Sequence, residues 1–181
     1  MKNILVIIGS ANINGNTNEL ADAFIKGVLD ANHHVQKVYL NGNLQGCLGC
    51  QACQRNGHKC VIQDKMQEIY PLFEQADTIV LASPLYFWTI SARLKCFIDR
   101  LYAISTNDEY PFKNTLLLMS AGSEEFFAFE QAVSFYRFFT KALKWQDNGM
   151  VLAYNCDKKD NKNIIDKKYL HEAYNLGKNL K

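Results

Sequence analysis

Residues Ile4 to Leu20 read ILVIIGSANINGNTNEL, and this stretch decides the fold. Ile4 to Ile8 is a short apolar, β-branched run that stops at Gly9, as a buried strand does. A Ser/Asn/Gly loop follows, and Thr17-Asn18-Glu19-Leu20-Ala21 opens a helical pattern. A strand feeding a polar loop and a helix N-terminus is the first half of a βαβ unit. The first N–H groups of such a helix have no intrahelical partner, and its dipole puts partial positive charge at the loop, so the junction favours an anion. Ser10, Asn12, Asn16, Thr17 and Asn18 add short hydrogen-bonding side chains, and Gly15 allows close backbone approach.

The type of phosphate is narrowed by what the loop lacks. A Walker loop needs Gly-Lys-Ser/Thr, whereas Gly15 is followed by Asn16-Thr17 and the loop has no lysine. The dinucleotide fingerprint needs Gly-x-Gly-x-x-Gly, and after Gly9 the next glycine is Gly15. A hydroxyl- and amide-rich loop without a cation suits a monoester phosphate. The alternative is a simple turn with a Thr or Asn helix cap.

From this junction the pattern extends along the chain. Helices are predicted at Thr17–Ala31, Asp64–Gln75 (capped by Asp64 and kinked or split at Pro71), Ser91–Ile104, Phe126–Leu143 and Ile164–Leu180. Strands are predicted at Val35–Leu40, Thr78–Ala82, Leu116–Met119 and Gly149–Tyr154. His33 and His34, at a helix-to-strand corner, read as solvated turn residues. Alternating strands and helices imply a parallel sheet covered on both faces. With the phosphate loop after the first strand, the expected fold is a doubly wound five-stranded α/β sheet of order 2-1-3-4-5. Ligands then bind beyond the strands' carboxyl ends, between strands one and three. The loops after strands one, three and four should therefore be chemically unusual, and they read SANINGNTN, SPLYFWT and SAGSEE. Pro84, Leu85, Tyr86, Phe87 and Trp88 place three consecutive aromatics at a strand end, where a flat ring could stack, or where they could pack a helix or subunit interface. Gly122 lets the third loop approach that ring's edge.

The 181 residues are 48% hydrophobic and 21% charged with net charge +2, which describes a globular chain read as one domain, 1–181. The charges are mixed in sign, giving no footprint for nucleic acid or an anionic membrane. The longest apolar runs fall short of a signal core or membrane span, so a cytoplasmic location is expected. In that compartment six cysteines are thiols or metal ligands rather than disulfides. Cys47, Cys50, Cys53 and Cys60 fall within fourteen residues, a compact set able to ligate a [4Fe–4S] cluster. Zinc or free, redox-active thiols remain open, and His58 lies inside the set. Cys96 and Cys156 read as ordinary. Lys95 and Asp99 are spaced for a surface ion pair, with Arg100 either beside them or reaching across a dimer interface. Glu124 and Glu125 suit the opening of the fourth helix as dipole partners.

GSANINGNTNELADAF, CLGCQACQRNGHKCVIQDKM, ADTIVLASPLYF and LKCFIDRLY occur in this order. Together they resemble the NADPH-dependent FMN reductase and iron–sulfur flavoprotein group of flavodoxin-like proteins, over roughly Ile4 to Tyr102. The resemblance implies FMN held by Ser10, Asn12, Asn16, Thr17 and Asn18 and by Pro84 to Trp88, with the Gly122 loop over the pyrimidine side. Asn12 stands where the family often has arginine. The resemblance also implies NAD(P)H as reductant and a quinone, free flavin or nitro compound as acceptor. Should the cysteines hold a cluster, it would relay electrons from a donor such as ferredoxin within a homodimer or homotetramer. The competing readings are a flavodoxin-like carrier without NAD(P)H turnover and a non-catalytic zinc or thiol module. No general acid or base is assigned, because the cofactor carries the chemistry.

Overall fold

The computed structural model describes residues 1–156, 158–159 and 162–180, the side chains of 158–159 and 162–163 excepted. Five strands run parallel: β1 (Asn3–Ile8), β2 (His34–Tyr39), β3 (Thr78–Pro84), β4 (Asn114–Ser120) and β5 (Gln146–Ala153). Their order is β2-β1-β3-β4-β5, the expected doubly wound topology. The helices are α1 (Asn16–Asp30), α2 (Met66–Gln75), α3 (Ala92–Arg100), α4 (Glu130–Ala142) and α5 (Lys167–Lys178). A two-stranded ribbon, β6 (Lys158–Lys159) with β7 (Lys162–Asn163), was not anticipated from the pattern.

The period-two alternation of β1 divides the core. Ile4, Val6 and Ile8 face α1 and α5, packing with Leu20, Phe24 and Ala173. Leu5 and Ile7 face the opposite layer with Phe73, Leu94, Phe97 and Phe129 of α2, α3 and the α4 approach. Every residue of β3 is buried, as a central parallel strand requires.

Several expected boundaries shift. Pro71 neither ends nor splits α2, which runs through it with Met66, Ile69 and Phe73 buried. Those anchors outweigh one missing backbone bond. The third helix is α only to Arg100, and Leu101–Ile104 tightens into a 3-10 turn. The fourth begins as a 3-10 turn, Phe126–Phe129, so Glu124 and Glu125 precede it and Glu130 occupies the first α turn. His34 belongs to β2, and His33 is not merely solvated. Its Nδ1 accepts from the Lys2 N–H at 3.2 Å and its Nε2 meets the Leu180 carbonyl at 3.2 Å, tying both chain ends to the α1–β2 corner. Among the described residues no helix is long and apolar enough to cross a membrane.

Candidate functional site

The carboxyl ends of β1, β3 and β4 open onto one cleft of about 200 Å³. Its wall is formed by Ser10, Asn12, Gly15, Asn16 and Thr17 from the first loop, Pro84, Leu85 and Tyr86 from the second, and Ser120, Ala121 and Gly122 from the third. The wall holds no Asp, Glu, Lys, Arg or His, so an anion here would be met by amides, hydroxyls and the α1 dipole.

The first loop folds upon itself. The Ser10 hydroxyl accepts the Asn12 N–H at 3.1 Å, and Asn12 Oδ1 accepts the Asn14 N–H at 3.1 Å. The N-cap of α1 is Gly15 and no side chain caps it, so the polar residues are not spent on a Thr or Asn cap. Thr17 is buried and its hydroxyl meets that of Ser120 at 2.7 Å, locking the α1 entrance to the end of β4. Beneath the loop, Ser91 caps α3 by accepting the Leu94 N–H at 3.2 Å while donating to the Gly9 carbonyl at 2.8 Å. A Cβ on Gly9 would lie 2.7 Å from Ser91 Oγ, so the close approach of β1 to α3 requires glycine.

Asn18 points elsewhere. Its carboxamide donates to Asp22 and accepts from the Tyr39 hydroxyl, on the β2 side of α1. Phe87 and Trp88 also leave the cleft wall. They form the tip of a two-residue turn in which Tyr86 and Thr89 exchange both backbone hydrogen bonds, at 3.0 and 3.1 Å. Both have positive φ, 47° and 62°, which bulky side chains rarely adopt. Phe87 is 91% exposed, edge-on to Trp88.

One wall residue read as ordinary from the sequence belongs to the site. Cys156, just beyond β5, lines the cleft, and its N–H bonds the Ala121 carbonyl at 2.8 Å. Burial pushes its thiol up to about 11. A lone cysteine after a strand carries no sequence signal for this placement, since the strand's end point and the neighbouring loop together fix it.

The cysteine segment lies apart, between β2 and α2. Cys47 and Cys50 are exposed, Cys60 is half-buried and Cys53 is buried in a 3-10 turn, Ala52–Arg55. The Gly49 N–H points at Cys47 Sγ at 3.4 Å. Among the described residues no group of three or more His, Cys, Asp or Glu side chains is gathered to hold a metal ion.

Lys95 and Asp99 form the expected ion pair, both half-exposed. Arg100 does not reach outward across an interface. Its side chain is 1% exposed and pairs with the fully buried Asp64 at 2.9 Å. Burial opposes charge on Asp64, but bonds from Arg100 and from the Gln45 and Met66 N–H groups outweigh it and hold the carboxyl below its ordinary range.

The family model for NADPH-dependent FMN reductase matches residues 2–146. An iron–sulfur flavoprotein of Archaeoglobus fulgidus is 36% identical over 96 residues, which are 52% of this chain and 43% of that protein. That of Methanosarcina thermophila is 33% identical over 95 residues, 52% and 49% of the two chains. The chain thus spans about half the length of the curated relatives it matches. Among solved structures, an NAD(P)H:quinone oxidoreductase from Methanothermobacter marburgensis superposes with TM-score 0.77 at 16% identity, covering 99% of both chains. An FMN-dependent NADH-azoreductase from Bacillus anthracis, in complex with FMN, gives 0.69 at 16% identity, covering 98% and 96%. These two likenesses establish the shared flavodoxin-like fold. With four-fifths of its length inside the family model, the chain belongs to the NADPH-dependent FMN reductase family.

Proposed function

We propose that this chain is an FMN-dependent NAD(P)H oxidoreductase of the flavin- and quinone-reductase type. The observation that carries the reading is the neutral cleft where the loops after β1, β3 and β4 meet the N-terminus of α1. The residues present fit FMN. Ser10, Asn12, Asn16 and Thr17 surround the helix N-terminus, suited to the phosphate. Ser120, Ala121 and Gly122 give the third loop small side chains along the same wall, where a ring edge can approach. Tyr86 and Leu85 supply the apolar wall, with Phe87 and Trp88 on a turn at its rim. FMN held by these residues would supply the redox chemistry, hydride uptake from a nicotinamide and release of electrons singly or in pairs. The chain's own residues would bind its phosphate and hold its ring, and the exposed aromatic turn would receive a small acceptor such as a quinone, a free flavin or a nitro compound.

The four cysteines are the second element of the reading, as ligands of a [4Fe–4S] cluster relaying electrons to the flavin from a donor such as ferredoxin. The four donors are all thiols within fourteen residues of sequence, and the Gly49 N–H already points at Cys47 Sγ at 3.4 Å. Backbone and amide donors of this kind are usual around cluster sulfurs. The names of the archaeal relatives favour the same assignment. Exposed Phe126, Phe127 and Phe138 support a homodimer or homotetramer.

Anaerobically purified chain titrated with FMN should quench its fluorescence at micromolar protein and then oxidise NAD(P)H with a quinone present. Unquenched FMN would refute the enzymatic reading. FMN binding without nicotinamide oxidation would favour the carrier.

A further inference from the structure

Between α4 and β5 runs an apolar groove of about 340 Å³ that shares no residue with the cleft. Half-buried Val133, Met150 and Leu152 line it together with Phe126 and Phe138, which are 57% and 74% exposed. Strand β5 ends the five-stranded sheet, with β4 on one side only, so Met150 and Leu152 lie where a further chain can cover them. Phe126 is not loose: its ring meets those of Phe129 and Tyr154 at centroid separations of 6.3 and 6.5 Å. Covering this groove would remove on the order of 300 Å² of apolar surface per copy from water, the centre of an interface that needs about 800 Å² on each side.

The charges around the groove say what fits it. Glu130 and Arg137 both line it, seven residues apart on α4, which is two turns and about 10 Å along one face. Both are exposed, and among the described residues neither has an ion-pair partner. The exposed residues beyond them divide the same way, with Glu124 and Glu125 before the helix and Lys141 in its last turn. An acidic start and a basic end on one face complement the same face turned end for end. A two-fold axis between Val133 and Ser134 sets Glu130 of each copy opposite Arg137 of the other, so the pair forms twice. It also brings each Phe138 to the Phe126 end of the facing groove. A parallel arrangement would set like charges together.

We propose that the α4–β5 groove is the interface of a two-fold homodimer, in which antiparallel α4 helices cross beside Ser134 and each Phe138 enters the other copy's groove. The interface rests on the homo-oligomer reading and asks nothing of the cleft or of the four cysteines.

Sedimentation of the full chain between about 1 and 100 μM reads the assembly, with far-ultraviolet circular dichroism confirming that each variant is folded. Wild type should sediment at twice the 20.7 kDa of the chain. Arg137→Glu sets Glu130 against a second carboxylate twice per dimer and should weaken association roughly tenfold, as should Glu130→Arg. The combined Glu130→Arg/Arg137→Glu should return to within about threefold of wild type, because the pair is restored with its signs exchanged. Phe138→Asp should leave monomer throughout, or split a tetramer into dimers. Should Phe138→Asp fail to fold, the charge exchange decides. A wild type that stays monomeric at the highest concentration would overturn the interface and the homo-oligomer reading together. An oligomer equally tight in Arg137→Glu and Phe138→Asp would overturn this interface and leave the homo-oligomer reading standing. Single reversals that weaken the dimer without recovery in the double variant would overturn the antiparallel pairing. FMN quenching by the same samples decides the enzymatic reading separately.

Discussion

The hydroxyls of Thr17 and Ser120 meet at 2.7 Å, 103 residues apart in sequence, and both residues are buried. They join the first turn of α1 to the last residue of β4 beneath the cleft. Removing one hydroxyl leaves the other buried and unsatisfied, at a cost of about 1–3 kcal/mol. Thr17→Val alone should therefore lower stability in urea by that amount and weaken FMN binding. The double variant Thr17→Val/Ser120→Ala should lose less than the sum of the singles, since neither partner is then stranded. Additive losses would mean that the two groups do not depend on each other.

The turn tip at Phe87 and Trp88 holds two bulky residues at positive φ, costing about 1–2 kcal/mol each. Strain retained at a rim with this exposure points to use of the aromatic surface. Phe87→Asn/Trp88→Gly, the pair such turns prefer, should raise the urea midpoint while lowering turnover of a quinone acceptor. A variant that is both more stable and fully active would show that the rings have no part in the reaction.

The α1–α5 contact depends on two facing glycines. A Cβ on Gly27 would fall 2.0 Å from the Tyr174 carbonyl, and one on Gly177 would fall 2.2 Å from that of Phe24. Backbone on both sides leaves no flexible atom to move aside. Gly27→Ala or Gly177→Ala should cost roughly 2–3 kcal/mol, a fall in melting temperature of about 5–10 °C. Helix propensity alone would predict a gain for either substitution, so the sign of the change is the test.

Burial raises the Cys156 thiol from 9.0 to about 11. An acid whose folded-state pKa lies above its unfolded value gives up protons more readily when unfolded. Its contribution is complete below pH 9 and declines as pH rises towards 11. Stability of the wild type should fall more steeply over that window than that of Cys156→Ala. Parallel curves for the two proteins would contradict it. The same burial should leave Cys156 the slowest thiol to alkylate at neutral pH, beside exposed Cys47 and Cys50.

Sheet order and the position of the cleft are legible in the linear pattern of residues. Both follow from local patterns: apolar β-branched runs that end in small polar residues, and a helix start directly after Gly15. Those patterns act over a few residues, so they are readable one segment at a time. Tertiary structure alone decided what the loops' side chains face. Asn18 turned to Asp22 and Tyr39, Cys156 entered the cleft wall, and Arg100 turned inward to Asp64. Each outcome depends on a partner from 4 to 36 residues away or on another strand's end. The direction of a side chain on a helix is set by its turn, but the group waiting there is set by packing, which no single stretch of the chain contains.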